Sequence, residues 1–248
     1  MALLAKTMGR LQTLAYIIEN PKLLSLRRKG GLVNTFISFN QPWLQALNIA
    51  TVFDIGAHTG SLALTIHAAF PEAQIYSFEP LPNCFKELQM RMASVKNFTG
   101  FNIALGEEAS DLMIECNTFT PSSSLLKMTD LHKNEFPYTR DSKAVSIKVE
   151  RLDNIAKQIT IIDPLLVKID VQGYEDKILK GGENTIKRSK LIIVETSFKE
   201  LYQGQPLFDS IYHQLTDWGF NYAGAFEQLR GLKSGQVLQE DSLFIKNS

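Results

Sequence analysis

The sequence has no charge excess of either sign: 26 Lys and Arg balance 26 Asp and Glu over 248 residues. No global field draws the chain to nucleic acid or to an anionic surface, so a polyanion is not its expected partner. Cysteine is scarce. Cys84 and Cys116 have neither CxxC nor metal-ligand spacing, and read as two buried thiols in a reducing, cytoplasmic setting. No apolar run is long enough to cross a bilayer, so no stable membrane insertion is expected. No Asn/Asp-Pro-Pro-Tyr/Phe tetrapeptide is present to stack a flipped base. No His/Asp/Glu spacing predicts a metal site, and no internal repeat occurs.

The amino terminus, MALLAKTMGRLQTLAYIIENP, lacks the early basic region and clean small-residue cleavage site of a secretory signal. Leu3, Leu4, Met8, Leu11, Leu14, Ala15 and Ile18 fall at helical spacing and predict an amphipathic helix packed on its own domain. Arg27, Arg28 and Lys29 follow closely, which keeps docking on a membrane surface as the other reading of that helix.

What is present is an alternating pattern. Residues 1–48 read as a helical extension, broken at Pro21, Gly30–Gly31 and Pro42, and residues 49–248 as an α/β domain. TVFDI (51–55) predicts a strand, followed by a helix over 61–70 that stops at Pro71. QIYSFE (74–79) predicts the next, and Pro82 opens the helix after it. FTGFNIAL (98–105), PLLVKID (164–170) and KLIIVET (190–196) read as further strands, and Leu207, Ile211, Leu215 and Trp218 mark a late helix. NYAGAF and DSLFIK leave no room for a helix between them and predict an antiparallel pair at the carboxyl terminus. The order is that of a doubly wound, Rossmann-like, mostly parallel sheet. Two period-two runs, 112–116 and 145–149, predict strands with one wet face at an edge of that sheet. Between them, residues 117–143 read as a loop long enough to act as a lid.

In such sheets a ligand binds beyond the strand carboxyl ends, where the strand order reverses. VFDIGAHTGSLAL (52–64) supplies that point: Asp54 closes the strand, Gly56 and Gly60 bare the turn, and a helix amino terminus follows. The dinucleotide fingerprint G-x-G-x-x-G is missing, and so is the lysine of a Walker loop. A nucleoside without phosphates remains, and Glu79, ending the second strand, is placed to meet ribose hydroxyls. S-adenosylmethionine (SAM) fits, since it combines adenosine, a carboxylate-bearing tail and a sulfonium that acids tolerate.

DIGAHTGSLAL, YSFEPLPNCFKEL, FNIALG, SSSL, LLVKIDVQGYEDKILKGG and LIIVETS occur in the order and spacing of FkbM-type SAM-dependent methyltransferases, which the chain resembles over about residues 50–246. The resemblance implies the seven-stranded methyltransferase fold. It also implies O-methylation of a hydroxyl, on a sugar, glycan or secondary metabolite. It puts Gly56, Ala57, His58, Thr59 and Gly60 under the methionine moiety, Glu79 with Pro80 at the ribose, and Asn102 and Ala104 near the adenine. His58 stands where that family often has asparagine, and Gln172 where it often has glutamate. Two rival readings are a NAD-dependent oxidoreductase, which would need a pyrophosphate loop this chain lacks, and a non-catalytic nucleoside-binding module.

Asp54, Glu79, Asp170 and Glu195 each close a predicted parallel strand, so four carboxyls line one rim and call for a cation. The sulfonium, Lys168 or a divalent metal could each supply one. Asp170 is the first candidate to polarise the acceptor hydroxyl and also a candidate cofactor contact; Glu195 is second. Lys168 shares a face with Asp170, as a buried ion-pair partner or a catalytic amine. His58 in the loop, His132 in the suspected lid and Ser122–Ser124 are further candidates; His67 and His213 read as packing or surface. A homodimer is left open.

Overall fold

The computed structural model describes residues 22–117, 124–136 and 142–246. Three short helices come first: α1 (Lys22–Arg28), α2 (Val33–Phe39) and α3 (Pro42–Gln45). The order then runs β1 (Thr51–Ile55), α4 (Ser61–Ala69), β2 (Gln74–Phe78), α5 (Pro82–Met92), β3 (Phe98–Phe101), β4 (Ala104–Leu105) and β5 (Ser110–Asn117). Next come α6 (Asp130–Glu135), β6 (Ser142–Glu150), α7 (Leu152–Ala156), β7 (Leu165–Ile169), α8 (Glu175–Gly181) and α9 (Glu183–Lys187). The chain closes with β8 (Leu191–Ser197), α10 (Phe208–Asp217), β9 (Phe220–Arg230) and β10 (Val237–Lys246).

Seven strands form one sheet in the order β3-β2-β1-β7-β8-β10-β9. The first five are parallel, and β10 runs antiparallel to both β8 and β9, as the closing sequence runs predict. Every residue of β1 and β7 is buried, which is why both strands are continuous apolar runs apart from Thr51, Asp54 and Lys168. Alternate residues feed two cores. Val52, Ile75, Leu166 and Ile193 pack against α1, α2, α4 and α5 through Leu23, Phe39, Ile66 and Leu88. Phe53, Tyr76, Val167 and Ile192 pack against α7 to α10 through Leu152, Leu179, Ile186 and Leu215.

On the first of those faces the composition changes at the strand carboxyl ends. Val52 gives way to Asp54, Ile75 to Ser77, Leu166 to Lys168 and Ile193 to Glu195, while Asp241 of β10 lies opposite Glu195. The apolar half holds the helices and the polar half is left for chemistry.

One expectation is corrected. The run 98–105 is not a single strand, and the period-two strands do not extend the main sheet. The chain bends at Asn102–Ile103, so β4 leaves β3 and pairs with β6, which pairs with β5 in a separate three-stranded sheet. Asn102 supplies the reason: its Nδ2 donates to the carbonyls of Glu79 (2.9 Å) and Pro80 (3.0 Å), which ends pairing along β2. The inner face of this small sheet, Ala104, Ile114, Ile147 and Val149, packs on Leu81 and Cys84 rather than on a strand edge.

Candidate active site

The loop after β1 is built by its own backbone. Gly56 and Ala57 donate their N–H groups to the Phe78 carbonyl, both at 3.0 Å, which ties the loop to β2. Gly56 has φ +86°, and a Cβ there would overlap the Asp170 carbonyl oxygen. The bareness of that glycine therefore serves the crossing of two strand ends, not only the approach of a ligand. Gly60 has φ +83° and would place a Cβ 2.7 Å from Leu88 Cδ1. His58 between them has φ 50°, and Gln172, in the loop after β7, has φ 58°.

Glu79 grips this turn. Its Oε2 accepts from His58 N and its Oε1 from Leu81 N, both at 2.8 Å. Each oxygen keeps a further lone pair for a ligand hydroxyl. Burial raises the Glu79 carboxyl to about 7, against the pull of those two N–H groups. Asp54 is buried beneath it and accepts from Ser77 Oγ at 3.1 Å, while its Oδ1 has no hydrogen-bond partner among the described residues. Burial carries Asp54 to about 6. Glu175, at the start of α8, accepts from the N–H groups of Val171 (3.3 Å) and Gly173 (3.1 Å) and is raised by burial to about 7.

These three shifts push the pH dependence of stability one way, and the imidazole of His132, lowered by burial to about 4, pushes it the other. A carboxyl with a native pKa above its unfolded value binds more protons folded than unfolded. The stability it contributes is complete below its ordinary value near 4 and is lost as pH rises through about 6 to 7. Thermal unfolding of the ligand-free protein is expected at a midpoint about 5 °C higher at pH 5 than at pH 8. A midpoint that rises between those pH values would show that ionising these carboxyls costs less than neutral His132 contributes.

A second centre lies at the ends of β7, β8 and β10. Lys168 Nζ is 3.0 Å from Asp241 Oδ1 and 3.4 Å from Asp170 Oδ2. Burial opposes its charge, but Asp170, Asp241 and Glu195 outweigh that and hold the ammonium's proton well above the usual lysine range. Gln172 bridges the remaining oxygens: its Nε2 donates to Asp170 Oδ1 and to Glu195 Oε2, both at 2.8 Å. Tyr202 OH donates to Gln172 Oε1 (2.8 Å), and Ser124 Oγ to the Gln172 carbonyl (2.6 Å). Glu195 is pushed well above the ordinary carboxylate range by burial, then by Asp170, Glu175 and Asp241, with Lys168 opposing.

Between the two centres is a cleft, open to solvent on one side. Gly56, His58, Glu79, Pro80, Ala104 and Asp170 line it, with Gln172 and Tyr174 beside Asp170. The small sheet closes the opposite wall through Leu105, Ile114 and Ile147, and Leu125 comes from the expected lid. Asp54, Ala57, Thr59, Gly60, Asn102, Lys168 and Glu195 are not among the residues that line it. Asn102 holds the bend, and Lys168 sits between carboxylates.

The lid reading falls partly outside the described residues, with Ser122 and Ser123. Its described part packs Met128 and Phe136 on Leu201 and Tyr202. His132 is buried there against the Phe136 and Tyr202 rings, at 5.4 and 4.9 Å between centroids. Neither ring nitrogen has a hydrogen-bond partner among the described residues, and burial lowers the imidazole to about 4. His132 is a neutral packing residue, not a group facing the cleft. Sequence reading missed Asp241, Glu175 and Tyr202. Glu175 had a local signal, a carboxyl two residues after a glycine at a helix start; the other two are defined only by tertiary contact.

Comparison with known proteins bears on the same segment. A family model for the methyltransferase FkbM domain matches residues 54–222. The 2-O-methyltransferase NoeI of Sinorhizobium fredii is 27% identical over 165 residues, 62% of this chain and 66% of that protein. The hexuronic acid methyltransferase AglP of Haloferax volcanii is 25% identical over 145 residues, 58% of this chain and 54% of its own. The chain thus spans less than two thirds of the length of either relative. The crystal structure of an FkbM methyltransferase from Methylobacillus flagellatus is similar in fold, with a TM-score of 0.52 and 14% identity over 93% of this chain and 60% of that one. The family match runs from Asp54 to Tyr222, through the glycine loop, Glu79 and the Asp170–Gln172–Glu195 cluster, and the chain belongs to the FkbM methyltransferase family.

Proposed function

We propose that this protein transfers a methyl group from S-adenosylmethionine to a hydroxyl of a glycan or metabolite. The observation that carries the reading is the cleft's donor set. Two carboxylates, Glu79 and Asp170, face it from opposite sides, and its lining holds no lysine or arginine among the described residues. That composition suits a nucleoside bearing positive charge and no phosphate, and disfavours a dinucleotide. Glu79 would take the ribose hydroxyls, with Phe78, Pro80, Ile103 and Ala104 around the base. The turn at Gly56–Gly60 would hold the amino-acid tail. Bound there, S-adenosylmethionine supplies an electrophilic methyl group.

The chain's own part is to align an acceptor oxygen and remove its proton. Holding reactants in near-attack geometry is worth about 7–11 kcal/mol. Asp170 is the group placed to accept the proton: its side chain is 38% exposed, and both its oxygens are already oriented, by Lys168 and by Gln172. Glu195, linked through the same amide, is the second candidate. For the acceptor, the name of one relative specifies an oxygen and that of another a hexuronic acid, which supports a sugar hydroxyl. The buried thiol of Cys84 is in keeping with work in the cytoplasm.

Calorimetry with S-adenosylhomocysteine and with NADH tests the reading. Binding of the first alone is expected, and Glu79→Ala is expected to weaken it at least about tenfold, since two ribose contacts and the brace on His58 N are lost together. Binding of NADH alone would overturn the proposal, and unchanged affinity in the variant would remove Glu79 from the ribose.

A further inference from the structure

Charge is balanced over the chain but not along it. Residues 1–53 contain Lys6, Arg10, Lys22, Arg27, Arg28 and Lys29 against the single acid Glu19, a local charge of +5, and the remaining residues carry −5. No acidic residue occurs between Glu19 and Asp54. Such an asymmetry orients a protein in a field even when its net charge is zero.

The described end of this basic segment is a built surface. α1 turns Leu23 and Leu26 into the core and leaves Leu24, Arg27 and Arg28 outside. Those three lie three and four residues apart, so they form one outward stripe. Lys29 extends the stripe, and Leu32 follows after the glycine pair; Leu24 is 44% and Leu32 42% exposed. The turn is fixed in place. Arg91 of α5 donates to the Gly30 carbonyl (3.0 Å) and to Ser61 Oγ (2.6 Å), and Leu32 N donates to Thr65 Oγ1 (2.8 Å). Ser61 is the first residue of α4, so the stripe sits beside the loop that lines the cleft, at the same end of the sheet.

We propose that this stripe docks the protein on an anionic phospholipid bilayer, with Arg27, Arg28 and Lys29 against headgroup phosphates and Leu24 and Leu32 entering the acyl boundary. Stable surface binding takes two signals, an apolar one and a basic one, and the stripe supplies both within nine residues. The remaining residues, with their net charge of −5, would be repelled by the same surface. A soluble polyanion would use the three cations and leave both leucines in water; a bilayer uses all five residues. The inference does not depend on the methyl-transfer reading.

The test is flotation of the full chain with phosphatidylcholine vesicles, with and without about 30% phosphatidylglycerol, at low and high salt. Binding is expected only with the anionic lipid and only at low salt. Arg27→Gln/Arg28→Gln/Lys29→Gln is expected to lower partitioning about a hundredfold. Leu24→Ser/Leu32→Ser is expected to lower it as well, and both variants keep the wild-type unfolding midpoint because all five side chains are exposed. Wild-type protein that ignores anionic vesicles overturns the proposal. So does a basic-to-glutamine variant that floats like wild type, which would move the anchor to residues 1–21. Vesicle binding that survives loss of the leucines and is competed by duplex DNA would make the stripe a polyanion site and overturn it equally.

Discussion

Asp170→Asn is expected to lower methyl transfer by about 10²- to 10⁴-fold, the range that general-base catalysis supplies. The asparagine keeps the shape, can still accept from Lys168, and sits at a position already 38% exposed, so the fold should tolerate it. What it loses is the negative charge: a site for the acceptor's proton, and the oxygen that accepts from Gln172 Nε2, whose amide keeps Glu195 as its other partner. Affinity for S-adenosylhomocysteine should change far less than turnover, because the proposed contacts to the nucleoside are made by Glu79 and the Gly56–Gly60 turn. The measurement is incorporation of labelled methyl into an acceptor found by screening cell extracts, beside calorimetry on the same variant. Turnover near wild type would show that Asp170 is not the polarising group and shift attention to Glu195. Equal losses in turnover and affinity would show that it holds cofactor instead.

Lys168→Met is expected to have the largest effect on stability. Lys168 is buried and its partners, Asp170 and Asp241, are 38% and 19% exposed in their side chains. Removing the cation beside Asp170, Asp241 and Glu195, the one found there among the described residues, leaves buried negative charge uncompensated, which costs about 3–5 kcal/mol. The pH dependence distinguishes this cause from lost packing. Asp241 and Glu195 are already raised above their ordinary values, by burial first, and Lys168 is a force lowering both. Without it they rise further and take up protons in the folded state. The deficit relative to wild type should therefore shrink as pH is lowered from about 8 toward 5. Urea unfolding at the two pH values reads it directly. A deficit independent of pH would mean that methionine fails by shape and that the carboxyls repel one another little.

The scaffold was readable because its signals are local. Buried parallel strands must be apolar on both faces, so β1, β7 and β8 stand out as short runs, and an acid at the end of such a run has few reasons to be there. Pro82 at a helix start and the closing strand pair without a helix between them need no tertiary information either. The bend at Asn102 was not readable, since the apolar pattern of 98–105 continues through it; only the two carbonyls that Asn102 reaches reveal that the strand has changed sheets. Asp241 was hidden for a related reason. Its partnership with Lys168 depends on the register of β10 against β8, and a shift of one residue would put it on the opposite face. Gly56 shows the limit from the other side: the sequence marked it as special, yet the neighbour that forbids a side chain is the backbone of residue 170, more than a hundred positions away.

The left-handed turns at His58 and Gln172 have a cost that falls unevenly on the molecule. An L-residue in that conformation is disfavoured by about 1–2 kcal/mol, and these two both line the cleft. Glycine would relieve it at either position. At Gln172 the relief would also delete the amide that joins Asp170 to Glu195, so under the proposed mechanism a hardier protein obtained there would be a poorer catalyst. Durability and activity are thus traded against each other at a single side chain.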